Sequence, residues 1–212
     1  MSELLIDSPV EAGAEFRALV QILNASERLV VLTGAGCSTR SGIPDYRGAG
    51  APRHTPTMYS AFVRSEDVRR AWWERSYRNW PRFEAARPND AHRAIAALEP
   101  HFLITQNVDD LHQEAGSRRV VQLHGRNRSV VCLDCGMEFV RADLQPRIAV
   151  TNPPPCERCG GMLKPNVVFF GESVPAEKVS VAMARLDEAD ALLVAGSSLT
   201  VWSGFRFVKR AA

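Results

Sequence analysis

GAGCSTRSGIPDYRG, residues 34–48, follows directly on the apolar run LVVLT at 29–33 and sets four glycines, a proline and an acid into fifteen positions. LVVLT lacks polar alternation, the pattern of a strand buried on both faces of a parallel sheet. A glycine loop leaving such a strand, with Gly34 and Gly36, lets backbone N–H groups approach an anion closely, as α/β folds do for a pyrophosphate. The dinucleotide fingerprint is truncated, because its third glycine is replaced by Thr39, so G-A-G alone reads equally well as a plain strand-to-helix turn. The tail IPDYRG separates the two readings. It puts Asp45 and Arg47 in a proline-stiffened loop just past the phosphate position, where a core turn has no use for them.

Similar apolar runs recur as FLIT (102–105), VVQL (120–123), NVVFF (166–170) and ALLVAG (191–196), which makes five expected strands. Ser8-Pro9-Val10-Glu11 has the form of a capping box with proline at the first helical position, and Phe16, Leu19, Val20 and Leu23 follow at helical spacing. Further helical patterns cover 91–98, 109–115 up to Gly116, and 176–188 through Val179, Met183 and Leu186. This alternation predicts an α/β, Rossmann-like doubly wound parallel sheet built from residues 1–49, 88–127 and 165–212. Residues 50–87, with aromatic clusters at helical spacing, read as a helical insertion. Residues 128–164, with cysteines and three consecutive prolines, read as a small zinc-binding ribbon.

With 45% hydrophobic and 24% charged side chains, 212 residues suffice for one sizeable core and a small appended module. A formal charge of +2 gives no reason to expect sequence-specific nucleic-acid binding. No run approaches the roughly 18–20 apolar residues of a membrane span, and Glu3, Asp7, Glu11 and Glu15 precede the first arginine, so a cytoplasmic protein without a membrane partner is expected.

Cys132-x2-Cys135 and Cys156-x2-Cys159, separated by twenty residues, fit a paired-knuckle zinc site. Four thiolates complete a tetrahedron and leave no position for water, so such a site holds a loop-rich module together. Two disulfides or four free thiols stand against it, without support from any sign of secretion. Cys37 lies outside the pattern, with no histidine near it in sequence, and reads as a small packing residue rather than a nucleophile.

GAGCSTRSGIPDYRG, TQNVDDLHQEAG (105–116), QLHG (122–125), the four cysteines, LKPNVVFFGE (163–172) and AGSSL (195–199) occur together, in this order, in the sirtuins. The chain resembles that family, the NAD-dependent protein-lysine deacylases, over roughly residues 28–205. CSTRSGIPDYR, VVFFGE and SGFRF are most similar to its class II branch, which includes many bacterial proteins. The resemblance implies NAD and zinc as cofactors and an acylated lysine of a protein as substrate. It implies that the acyl oxygen attacks the nicotinamide ribose, nicotinamide leaves, and a histidine helps a ribose hydroxyl attack the adduct. His124 matches that histidine, and an ordinary pKa of about 6.5 leaves it able to take a proton. His54, His92, His101 and His112 are read as structural.

Carried over by position, Gly34, Ala35, Gly36 and Ser38 line the cofactor pocket, Gly42, Ile43, Pro44 and Asp45 shape the nicotinamide compartment, and Tyr46 and Arg47 belong to its cover. Gln106, Asn107 and Val108 match the ribose-contacting segment and Asp109 the acid that positions the carboxamide, whereas Asp110 reads as a solvated charge at a helix start. Gly196, Ser197 and Ser198 match the phosphate and ribose contacts at another strand end, although GSS alone is a turn. Val167, Val168, Phe169, Gly171 and Glu172 match the segment that pairs with substrate peptide, and VVFF reads equally as plain core.

The branch that removes acidic acyl groups carries Tyr-x-x-Arg in its insertion; here Tyr77 is followed by Arg78, Asn79 and Trp80, so acidic acyl groups are not expected. The insertion's aromatics are read as its own small core in preference to contacts with the acyl chain. Sirtuins continue beyond GSSL through a further strand and helix on the adenosine side, whereas this chain stops at Ala212, with SGFRFVKRAA able to start a helix. Protein mono-ADP-ribosyl transfer from the same pocket, and a silent binding module, are the competing functions. The oligomeric state is left open.

Overall fold

The computed structural model describes residues 13–45 and 55–212. At its centre lies β1 (Leu29–Thr33), buried at all five positions, as the unbroken apolar run requires. It pairs in parallel with β2 (Phe102–Thr105) on one side and β7 (Ala191–Ala195) on the other, and β3 (Val120–Gln122) extends the sheet beyond β2. The order is β3-β2-β1-β7, so successive crossovers leave β1 in opposite directions.

Both faces of this sheet are covered. On one, Val30, Leu32, Ile104 and Leu123 meet Ala182 and Leu186 of α7 (Ala176–Asp187) and Phe207 of α8 (Trp202–Ala211). On the other, Leu29, Val31, Leu103 and Cys37 meet Ile95 of α4 (Asp90–Ala97) and Leu23 of α1 (Ala14–Ala25). A 3-10 helix (Ala35–Ser41) follows β1 directly. The expected capping box at Ser8–Glu11 lies outside the described residues. The expected helix 109–115 is a single turn, α5 (Leu111–Glu114), because Asp110 takes a left-handed φ of 65° and starts it late.

The second sheet is antiparallel, ordered β5-β4-β6 from β4 (Gly125–Cys132), β5 (Glu138–Val140) and β6 (Leu163–Val167), with α6 (Arg141–Val150) beside it. Here one expectation is corrected. NVVFF at 166–170 is not a strand of the parallel sheet: β6 ends at Val167 and pairs with β4, and Phe170 forms an isolated bridge to Met58. The run is apolar because Phe169 is packed against the rings of Phe62 and Trp72, at centroid separations of 5.1 and 5.5 Å. Burial among aromatics makes the same demand on sequence as burial in a sheet.

α2 (Tyr59–Arg64) and α3 (Glu66–Ala85) form the helical insertion, with Ser65 Oγ accepting the Val68 amide at the start of α3. Trp73 is fully buried and packs against Val130, Leu144, Ile148 and Leu163 beneath the cysteines. The insertion's aromatics therefore build a core shared with the second sheet. Arg141 lies over Trp73 and Trp80, with its guanidinium carbon 5.4 and 4.8 Å from their ring centres, and burial pulls its pKa down to about 10. No helix among the described residues is long and apolar enough to cross a membrane.

Candidate functional site

The four parallel strands end at one edge, and the segments that follow them share the wall of a single cavity of about 890 Å³. Residues after β1, β2, β3 and β7 meet there, at the point where strand order reverses between β1 and β7. That is where open α/β sheets bind ligands.

Gly34 and Gly36 do something other than expose free amides. The Gly34 N–H donates to Ala195 O at 3.1 Å and that of Gly36 to Gly196 O at 2.8 Å. A Cβ at either position would sit 2.8 Å from Gly196 O, and one at Gly196, where φ is +61°, would sit 2.4 Å from Cys37 N. These glycines clamp the loops after β1 and β7 together, which brings Ser197 and Ser198 beside Ala35 and Ser38 in the wall. Cys37 is buried, points its thiol at Ala195 O at 3.4 Å, and is pushed up to about 11 by burial. That is a packing cysteine.

Beneath the cavity, Asn107 Nδ2 donates to Ser38 Oγ at 3.0 Å and to Gly34 O at 3.1 Å, while Ser38 donates to Asp109 Oδ2 at 2.6 Å. His92 takes the amide of Asn89 on Nδ1 at 3.2 Å, so its proton sits on Nε2, which faces Ser38 Oγ at 3.4 Å. His112 stands against His92 with ring centres 4.8 Å apart and directs Nε2 at Thr33 Oγ1 at 2.9 Å. Burial, and then the neighbouring His92, pull His112 down to about 4. Both rings are buried, and neither lines the cavity. Asp110 is corrected: it is 5% exposed rather than solvated, and accepts Gln122 Nε2 and Arg126 Nε at 2.9 Å each.

His124 faces the same cavity as Asp45 and Asn107. Its Nδ1 lies 2.9 Å from Gln106 O, a pure acceptor, which puts the proton on Nδ1 and leaves the lone pair on Nε2. Burial holds its pKa below the usual 6.5, against the pull of the Gln106 carbonyl, and the charges of Lys178 and Arg206 add to the lowering. The ring is therefore neutral at pH 7 and fit to accept a proton at Nε2. The His124 carbonyl accepts the Val168 amide at 2.8 Å, and the next residue, Gly125, has φ +84° and leaves a Cβ only 2.0 Å from Asn166 O. Strand β4 and the 167–172 segment thus touch at the residue beside the imidazole.

Val167, Val168, Phe169, Gly171 and Glu172 all line the cavity. Lys164, 3% exposed, reaches Glu172 Oε2 at 3.0 Å, and the same oxygen takes the Phe169 amide at 2.8 Å. From the other side, Tyr59 donates its amide to Phe170 O at 2.8 Å. The segment is held from two directions.

Ile43, Pro44, Asp45, Gln106 and Val108 also stand in the wall. Gly42 does not: it ends the 3-10 helix at φ +86°, and its carbonyl accepts Arg82 Nε at 2.6 Å. Tyr46 and Arg47 lie outside the described residues. Tyr77 and Arg78 line a separate surface hollow between α3 and α6. The lining residues missed in sequence include Phe83, Ser173 and Val174, then Ala176, Val179 and Ser180 of α7, Val201 just ahead of α8, and Trp202, Ser203 and Arg206 within it. A helix start after AGSSL was visible, but nothing in SGFRF says which side faces the cavity.

Cys132, Cys135, Cys156 and Cys159 converge, with all four sulfurs within 4.8 Å of one another. Cys132–Cys159 and Cys135–Cys156 are 3.6 and 3.8 Å apart, far beyond a disulfide of about 2.05 Å. They are close to the about 3.8 Å edge of a tetrahedron with Zn–S bonds near 2.3 Å. Each knuckle closes on an amide, Gly136 N to Cys132 O at 3.0 Å and Gly160 N to Cys156 O at 2.8 Å. The donor set fits zinc, and none of the four cysteines lines the cavity.

The chain matches the Sir2 family across residues 34–203. It is 45% identical to NAD-dependent protein deacetylase 2 of Bradyrhizobium diazoefficiens, covering 92% of this chain and 84% of that one. It is 43% identical to NAD-dependent protein lipoamidase sirtuin-4, mitochondrial, of Bos taurus, covering 95% and 75%. A solved Sir2–p53 peptide–NAD+ complex superposes with a TM-score of 0.83 at 32% identity, over 92% of this chain and 83% of that one. The chain belongs to the Sir2 family.

Proposed function

We infer that this chain is an NAD-dependent protein-lysine deacetylase whose reaction takes place in the cavity at the carboxyl edge of the parallel sheet. The observation that carries this reading is the convergence of a proton-accepting His124, the Ser38–Asn107–Asp109 cluster and the 167–172 segment on one cavity. Relatives named as NAD-dependent protein deacetylases at about 45% identity support it.

The cavity suits NAD by its donor set. Asp109, with lone pairs to spare, and Asn107 Oδ1 offer acceptors for a carboxamide N–H, and Gln106, Ser197 and Ser198 offer amide and hydroxyl groups for ribose and phosphate oxygens. When bound, NAD would supply the sugar carbon that takes the acyl oxygen as nicotinamide leaves; a water then adds to the acyl carbon as its bond to the lysine nitrogen breaks, so that lysine is freed and the acyl group ends on ADP-ribose. The chain's own part is to hold and to move a proton. Gln106 O fixes the Nδ1–H tautomer of His124, whose Nε2 then takes the proton of a sugar hydroxyl. The 167–172 main chain, braced by Lys164–Glu172, offers an edge for an extended peptide carrying the acylated lysine. The thiolate cluster keeps β4 and β6 in register around that edge. Four cysteines gathered as a thiolate donor set and Cys37 as a buried packing thiol, with no disulfide among them, suit a reducing compartment such as the cytoplasm.

The test is nicotinamide release from NAD and an acetylated peptide by the zinc-loaded chain, with His124→Ala beside it. Release that needs both substrates, and peptide deacetylation lost by about 10²–10⁴-fold in the variant, is the expected outcome. Label from adenine-tagged NAD appearing on protein, without peptide deacetylation, would overturn it.

A further inference from the structure

His124 is held at both ring nitrogens. Nδ1 faces Gln106 O at 2.9 Å, and Nε2, the nitrogen left with the lone pair, lies 2.9 Å from Ser203 Oγ. Since Nε2 is an acceptor in the neutral ring, the Ser203 hydroxyl donates to it. The two residues are 79 positions apart, and the contact depends on how α8 is seated. Phe207, fully buried, anchors the helix in the sheet core. Gly204 lies against the Gln106 amide so closely that a Cβ there would come within 2.7 Å of Oε1. The first turn of α8 therefore rests on Gln106, which also gives its carbonyl to His124 and its Nε2 to Ser197 at 2.8 Å. Ser203 does no local capping for α8, whose cap position is Val201 and carries no side-chain bond.

We propose that Ser203 is a positioning residue for His124: its hydroxyl holds Nε2 toward the cavity and marks the place the reacting sugar hydroxyl takes over. This rests on the assignment of His124 as general base. One lone pair accepts one strong hydrogen bond, so the sugar hydroxyl displaces Ser203 Oγ as it arrives. Its proton passes to Nε2, giving an imidazolium that keeps Nδ1–H on Gln106 O, and Ser203 neither gains nor loses a proton. Until then the lone pair is never bare, and the ring has no reason to turn.

The experiment compares Ser203→Ala, Ser203→Thr and Ser203→Val in the zinc-loaded full chain. The last two have one shape and differ only in the hydroxyl, so they separate a folding defect from a lost bond. Removing one hydrogen bond that orients the base is expected to lower kcat for peptide deacetylation about five- to tenfold in the Ala and Val variants, with KM for NAD unchanged within about twofold. The Thr variant keeps most of the rate. In chains with 15N-labelled histidine, the Nε2 resonance of His124 moves toward that of an unbonded imine nitrogen in Ala and Val, while His92 and His112 stay in place. An unmoved His124 resonance, or equal kcat in Thr and Val, overturns the proposal. His124→Ala run in parallel keeps the two readings apart: if it deacetylates normally the general-base assignment fails, whereas an inactive His124→Ala beside a normal Ser203→Val rejects the serine's role alone.

Discussion

Ser38 donates its hydroxyl to Oδ2 of Asp109 at 2.6 Å, and the other oxygen of that carboxylate takes the Leu111 amide at 3.0 Å. One acid thus ties the loop after β1 to the start of α5 at the floor of the cavity. Asp109→Ala leaves both donors without an acceptor and is expected to cost about 1–3 kcal/mol of stability together with most of the NAD affinity. Denaturant melts and NAD calorimetry read the two effects, and an alanine variant that binds NAD as tightly as the parent refutes the assignment. Asp109→Asn, which keeps an oxygen, loses less stability.

Protonation of His112 opposes folding. Its pKa falls to about 4 when buried, below the ordinary 6.5 of an unfolded chain. Between these values the unfolded state binds the extra proton, so stability is complete above pH 6.5, falls as the pH drops, and levels off below about 4. The loss from this residue is at most about 3 kcal/mol. His92, lowered chiefly by burial, acts in the same direction. Urea melts from pH 7 to 4 should show this slope, and His112→Gln should flatten it; an equal slope in both chains assigns the acid sensitivity elsewhere.

Zinc removal should reach the cavity without touching it. Cys132 is the last residue of β4, and Leu133 N bonds to Met162 O at 2.8 Å just before β6. The same two strands place Gly125 against Val167 at the cavity wall. Elemental analysis is expected to find a single zinc ion per chain, and a strong chelator to lower the melting temperature and abolish deacetylation. Full activity in metal-free chain contradicts this coupling.

Lys164, buried, pairs with the part-exposed Glu172, its ammonium lying 4.7 and 5.7 Å from the ring centres of Phe169 and Tyr59. Glu172→Gln strands a buried cation and is expected to cost about 3–5 kcal/mol. Lys164→Met with Glu172→Gln removes both charges and should recover much of that stability. Lys164→Met with Glu172→Leu, which also removes the acceptor of the Phe169 amide, should show a raised KM for peptide. A peptide KM equal to the parent's shows that the pair serves stability alone.

The fold was legible wherever one physical demand dominated. β1 has to be apolar on both faces, and CxxC pairs have no competing use in a short prolyl loop, so both stood out in LVVLT and in the cysteine spacing. VVFF was ambiguous for the opposite reason: burial against Phe62 and Trp72 and burial in a sheet select the same residues. Asp110 looked solvated because its partners, Gln122 and Arg126, are 12 and 16 residues away and come together only through the parallel pairing of β2 and β3. Ser203 and Arg206 carried no signal of a place in the site, although SGFRF resembles one branch of the family, since their approach to the cavity depends on how α8 lies across the sheet, a property of packing and not of local pattern. His124 stands out as a candidate only through the motifs around it, and its tautomer through none of them: Gln106 O sets it.

The absent side chain at Gly125 has a consequence for how this protein tolerates change. With φ at +84° and Asn166 O 2.0 Å from where a methyl would stand, that position accepts a one-letter alphabet. In a saturation library scored for growth or turnover, its column should be blank except for glycine. A single silent residue, with no functional group of its own, would thus rank among the least evolvable sites in the chain, beside the imidazole it adjoins.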